Sequence, residues 1–222
     1  MRRRIYLMRH AQVAYFEPDG RPVDPESVAL TAEGERQARA AAAVLDGVRF
    51  DRVVTSGLPR AVATARIVAP GIKPEAWPEL REIEGGRLAD IPEDGLERAF
   101  TGAFSGVVPQ ETRFLGGETI GALLDRVLPA LERLLADTSW DVLLAVLHGG
   151  VNRAILSHAL TGGRTFLGNF EQAPGCVNVL DVGDDWIVRA VNVAPYDLGY
   201  LGPRTRTMEQ LLEQYRPYRK AR

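Results

Sequence analysis

The sequence predicts an α/β fold, with three layers (α/β/α) around a mostly parallel central sheet. Three observations predict it. Short apolar runs alternate with stretches of helical periodicity, ending in two strand-like runs. The run from Asp141 to Leu147 is almost continuously apolar, as a central strand covered on both faces requires. Polar residues with chemical potential recur directly after these runs, where ligands bind in open parallel sheets.

Taken in order, Ile5 to Met8 reads as a short buried strand. Val13 to Val28 holds Pro18, Pro22, Pro25 and a Pro18-Asp19-Gly20 turn signal, so it reads as a surface loop. Thr31 caps a helix to about Leu45, with Glu33 and Glu35 near its positive end. Arg52 to Thr55 is a second strand. Gly57 to Val68 is a second helix, with Pro59 in the first turn, where a missing N–H costs little. Residues 70 to 115 are rich in Pro and Gly and read as loops with one short helix around Gly95 to Phe104; about 86–115 forms a lid insertion. Glu118 to Leu135 is the clearest helix, with Ile120, Leu123, Leu124, Val127, Leu128, Leu131, Leu134 and Leu135 on one face and a kink expected at Pro129. After the strand at 141–147, Gly149 to Leu160 is helical. Val177 to Val182 and Trp186 to Val191 read as a hairpin around Gly183-Asp184-Asp185. The basic tail, Arg216 to Arg222, reads as a solvated or disordered end. Residues 1–222 are expected to form one domain.

The composition is that of an ordinary globular protein, 45% apolar and 25% charged. A net charge of -2 gives no electrostatic case for nucleic acid or an anionic membrane surface. Cys176 is the single cysteine, expected as a small core residue; no intramolecular disulfide can form, which suits the cytoplasm. The basic start Met1-Arg2-Arg3-Arg4 is followed by only four apolar residues, too few for a signal peptide. No HExxH, Cys/His cluster, GxxxxGK[ST] or GxGxxG occurs, so neither metal nor nucleotide cofactor is expected.

Four places carry the chemistry: Arg9-His10, Ser56 to Arg60, Glu82, and His148-Gly149-Gly150. Their residue types suit phosphoryl transfer. Two arginines grip a phosphate dianion. A neutral imidazole attacks phosphorus and divides the reaction into two easier steps. A second histidine donates to oxygens that gain charge in the transition state. Helix-opening glycines turn free N–H groups toward the anion, and a glutamic acid protonates the leaving oxygen. Each residue alone also has an ordinary reading. Arg9 and Arg60 could be salt-bridge partners, Glu84 lies two residues from Glu82, and His158 carries no motif and reads as a surface or partly buried residue.

The ordered set of motifs resembles the histidine phosphatase superfamily, the phosphoglycerate-mutase-like clan. Its elements are Arg9-His10; Leu30-Thr31, Gly34 and Gln37-Ala38; Ser56, Leu58, Arg60-Ala61 and Thr64-Ala65; Leu80, Glu82 and Gly86; Gly116-Gly117-Glu118-Thr119; and His148 to Val151 with Arg153. The resemblance implies His10 as nucleophile, Arg9, Arg60 and His148 as the phosphate pocket, and Glu82 as proton donor. It implies a metal-independent phosphomonoesterase acting on a small phosphorylated metabolite. The alternatives are a phosphoglycerate-type mutase and a catalytically weak phosphate-binding regulator. Absence of a Glu-Arg-x-Tyr-Gly signature argues against the mutase; Ala11, where the family has glycine, is the feature that would suit a weak enzyme. A small-molecule ester is the expected partner, with no nucleic acid or membrane, and homodimerisation is left open.

Overall fold

A computed structural model describes residues 2–221; Met1 and Arg222, at the ends of the basic start and tail, lie outside the described residues. Six strands form one sheet: β1 (Arg3–Arg9), β2 (Arg52–Thr55), β3 (Glu75–Ala76), β4 (Val142–Leu147), β5 (Val177–Val182) and β6 (Trp186–Val193). Their spatial order is β3-β2-β4-β1-β5-β6. β1, β2, β3 and β4 run parallel, β5 pairs antiparallel with β1, and β6 returns along β5 as the expected hairpin.

The period-2 alternation of the strands divides the core between the two faces. Ile5, Leu7, Leu143, Ala145 and Leu147 pack on one side beneath α4 (Ile120–Ala136) and α5 (Gly149–Thr161). Met8, Val53, Leu144 and Val146 pack on the other, beneath α1 (Ala32–Val44) and α2 (Pro59–Val68). Thr31 caps α1 by accepting the Gly34 N–H at 3.0 Å. The helix expected from Glu118 begins at Ile120, capped by Thr119, and runs unbroken through Pro129. The short helix expected at 95–104 is α3 (Leu96–Thr101) continued by one 3₁₀ turn to Phe104.

Two expectations need correction. The segment 70–115 is not all loop and helix: Glu75–Ala76 adds β3 to the sheet edge, a strand too short to show a period. From Arg216 to Lys220 the C-terminal tail is not a solvated end but part of α6 (Thr207–Lys220). Leu212 and Tyr215 are buried with Ile91, Leu96 and Phe100 of the 86–115 segment expected as a lid, and the Arg219 guanidinium donates to the carbonyls of Ala89 (3.0 Å) and Ile91 (2.7 Å). Arg216 pairs with Glu97 and Glu213. The signal was present as Met208, Leu211, Leu212 and Tyr215, one helical stripe hidden by the surrounding charge. Phe16 packs 5.8 Å from the Tyr215 ring, so the 13–28 loop, the lid and α6 form one roof.

Gly34 marks where α1 passes closest to the chain after β1: a methyl there would lie 2.2 Å from the Gln12 carbonyl oxygen. Gly34→Ala is expected to lower stability by about 1–3 kcal/mol in urea unfolding. Gly71→Ala, where nothing lies within 4 Å, should leave the midpoint unchanged.

Candidate active site

The parallel ladder places three functional residues at one edge. Arg9 is level with Leu147 and Thr55 with Val146, so β1, β4 and β2 end together. His10, His148 and Ser56 each follow one of these ends, and the His10 N–H donates to Leu147 O at 2.9 Å. The His10 and His148 rings lie 5.2 Å apart. His10, His148, Arg9 and Arg60 are 1%, 0%, 8% and 2% exposed.

His10 Nδ1 lies 2.8 Å from Ala11 O. A carbonyl only accepts, so Nδ1 carries the proton and Nε2 keeps its lone pair. Burial, then the positive charges of Arg9 and Arg60, hold the His10 pKa well below its usual value. Burial acts the same way on His148, with His10, Arg60 and Arg9 adding to it. Both imidazoles are therefore neutral at pH 7.

Arg60 Nε donates to His10 Nε2 at 3.3 Å, and its other end reaches Pro25 O in the loop. Arg9 Nη1 donates to Gln172 O (2.5 Å) and Thr207 Oγ1 (3.2 Å). Gln172 is itself fixed by Asn152 and Asn178 in a buried amide network. Among the described residues neither Arg9 nor Arg60 is in an ion pair, so two buried guanidinium charges rest on neutral groups alone. Arg9 Nε and His148 Nδ1 are buried without a hydrogen-bond partner. Two cations and two such polar atoms in one pocket match an anion in charge and hydrogen bonding.

Glu82 reaches this pocket from the segment after β3, and Glu84 is exposed. Glu82 Oε1 accepts the N–H of Gly150 at 2.9 Å and of Ile83 at 3.0 Å. This corrects one expectation: the Gly150 N–H at the start of α5 binds Glu82 and is not free to face an anion. Gly150 is a glycine because Glu82 sits there; a methyl would lie 2.8 Å from Oε1.

Three contributors, Arg126, Thr207 and Tyr15, were not legible as site residues. Arg126 of α4 pins the Glu82 segment by donating to the carbonyls of Glu79 (2.7 Å), Arg81 (2.7 Å) and Glu82 (3.1 Å). Glu118 grips Arg126 at 2.8 and 2.9 Å, which gives the Gly-Gly-Glu motif its physical purpose. Ser56 Oγ lies 2.7 Å from His148 Nε2 and accepts the Leu58 N–H at 3.3 Å. Thr207, opening α6, accepts from Arg9 and donates to Glu171 at 2.8 Å. The Tyr15 hydroxyl lies 3.4 Å from His10 Nε2. A charge in an apolar helix was a signal for Arg126; Thr207 and Tyr15 depend on how the roof folds.

Ala11 departs from the resembling pattern, but its backbone is ordinary and its N–H donates to Thr64 Oγ1 at 3.1 Å. Its methyl is fully buried near Gly175, where an added Cβ would lie 3.7 Å away. Cys176 is buried, and burial pushes its thiol up to about 12, so it is no nucleophile at neutral pH. His158 is half-buried on α5. A cleft of about 40 Å³ beside Arg9 and Glu82 is bordered by Arg153, Glu171, Arg206 and Thr207. A larger hollow, about 270 Å³, lies at the lid between Gly86, Ile91 and Leu115 and holds none of the predicted site residues. Among the described residues no group of three His, Cys, Asp or Glu could hold a metal ion, and no helix is long and apolar enough to cross a membrane.

The model of the histidine phosphatase superfamily (branch 1) matches residues 5–193. The adenosylcobalamin/alpha-ribazole phosphatase of Salmonella typhimurium is 30% identical over 81% of this chain and 90% of its own length. A probable phosphoglycerate mutase GpmB of Serratia proteamaculans is 31% identical over 70% and 74%. The crystal structure of the alpha-ribazole phosphatase from Shigella flexneri superposes with a TM-score of 0.67, at 25% identity, over 86% of this chain and 96% of that one.

The depressed histidine pKa values have a consequence for stability. In the unfolded chain each imidazole takes a proton below about pH 6.5, whereas in the fold His10 and His148 resist it. The unfolded state then binds more protons, so stability is full above that pH and falls as pH drops below it. Unfolding midpoints between pH 7 and 5 should fall less steeply for His10→Asn than for wild type; an identical slope would contradict the assignment.

Proposed function

We propose that this chain, which belongs to the histidine phosphatase superfamily (branch 1), hydrolyses small phosphate monoesters through a phosphohistidine on His10, with no metal ion. One observation carries the reading: Arg9 and Arg60 are buried beside a neutral imidazole, and among the described residues neither is in an ion pair. A phosphate dianion supplies both the missing charge and the acceptors.

In the first step the Nε2 lone pair attacks phosphorus and the ester P–O bond breaks. The leaving oxygen takes a proton from Glu82, whose carboxyl group is held by the N–H groups of Gly150 and Ile83. In the second step water attacks phosphorus and gives its proton to the Glu82 carboxylate; the N–P bond breaks and inorganic phosphate leaves. Ser56 Oγ accepts from Leu58 and lies 2.7 Å from His148 Nε2; in the tautomer this reading uses, the serine donates to Nε2 and Nδ1–H is the donor to the phosphoryl oxygens. The fixed His10 tautomer and the buried guanidiniums are ready before substrate arrives, so little reorganisation is needed.

The Salmonella relative is named an adenosylcobalamin/alpha-ribazole phosphatase, and the Serratia relative a probable phosphoglycerate mutase. Hydrolysis is favoured here because the absent Glu-Arg-x-Tyr-Gly run is the one that marks glycolytic mutases. The ordinary backbone and buried methyl at Ala11 support an active enzyme over a phosphate-binding regulator. A cytoplasmic setting accords with the single buried thiol.

Wild type should hydrolyse 4-nitrophenyl phosphate in excess chelator, with no stimulation by a bisphosphorylated primer. His10→Ala should lose at least about a thousandfold in kcat, as removal of a covalent nucleophile does. Inert wild type, or full activity in His10→Ala, would overturn the proposal.

A further inference from the structure

We infer that Tyr15 is a further catalytic residue, whose phenol donates a hydrogen bond to a non-bridging oxygen of the phosphoryl group as it passes on and off His10 Nε2. The inference rests on the reading of His10 as nucleophile.

Tyr15 is presented by the loop between β1 and α1, which two bridges, Val13–Leu30 and Phe16–Pro22, hold in a narrow hairpin-like form. The Val23 N–H donates to Tyr15 O at 2.9 Å. Phe16 turns toward Tyr215 of α6, while the Tyr15 hydroxyl stands 3.4 Å from His10 Nε2. The Arg60 guanidinium lies 5.8 Å from the Tyr15 ring centroid, and its Nε reaches the same imidazole nitrogen at 3.3 Å. Two donors thus converge on one nitrogen that has a single in-plane lone pair and can accept only one of them well. A phosphoryl group on Nε2 carries three oxygens around that axis, with acceptors for both. Burial, and Glu82 more weakly, raise the Tyr15 pKa, opposed by Arg60 and Arg9, so the phenol keeps its proton and serves as a donor. The 13–28 loop therefore supplies two parts of the phosphate pocket, the Tyr15 hydroxyl and the Pro25 carbonyl that orients Arg60.

Tyr15→Phe keeps the ring beside Arg60 and removes only the donor. It should lower kcat/KM for 4-nitrophenyl phosphate by roughly tenfold to a hundredfold and raise the inhibition constant for orthovanadate by a similar factor, as loss of one hydrogen bond to a charged group does. Its unfolding midpoint should match wild type. If the loop is disturbed, a second pair decides: Tyr15→Gln, which restores a donor, should recover rate that Tyr15→Leu loses. Both measurements within twofold of wild type, with His10→Ala inactive, would overturn the role of Tyr15 and leave the nucleophile intact. Activity retained by His10→Ala would instead overturn the underlying reading, and the proposal with it, whatever Tyr15→Phe does to orthovanadate binding.

Discussion

Two buried guanidinium groups, neither of them in an ion pair among the described residues, are the constraint around which this molecule is arranged. Leaving a charge dry costs several kcal/mol unless dipoles and hydrogen bonds offset it. Here the offset comes from neutral groups brought from distant parts of the chain: Gln172 O and Thr207 Oγ1 on Arg9, Pro25 O and His10 Nε2 on Arg60. Burial, reinforced by the same positive charges, keeps both histidines unprotonated. The role of the surrounding fold is to hold that unbalanced arrangement rigid.

The sheet and its helices provide the rigidity. β1, β4 and β2 are in register and end level, so the residues after them meet without a long loop. Behind them, Gln37 of α1 and Thr64 of α2 accept the N–H groups of Gln12 and Ala11, holding the turn that fixes the His10 tautomer. On the far side, the Glu118–Arg126 pair carries the Glu82 segment, and Glu82 in turn caps α5 beneath His148. A carboxylate placed at a helix N-terminus is favourable in its own right, so the position of Glu82 stabilises the helix as well as serving the site.

The floor of the pocket was legible in the sequence because strand ends are short-range features: an apolar run followed by Arg9-His10, Ser56 or His148-Gly149 carries its own location. Hydrophobic period likewise gave α4, and a continuous apolar run gave β4. The roof was not legible, because nothing local says that the loop carrying Tyr15, the lid around Phe100 and the helix opened by Thr207 pack on one another. That contact joins residues separated by up to two hundred positions, and the charged composition of the C-terminal segment hid its helix. The role of Gly150 was misread for a related reason: helix-opening N–H groups suit any anion, and the protein uses this one for its own carboxylate.

The most direct test of His10 as a covalent nucleophile is to capture the phosphorylated enzyme. Wild type mixed with 4-nitrophenyl phosphate, quenched in base and digested, should yield one phosphoryl group on the peptide containing His10, stable to alkali, lost in acid, and absent from His10→Ala. Rapid turnover with no such adduct under quench, or an adduct that survives acid or maps to another residue, would contradict the account.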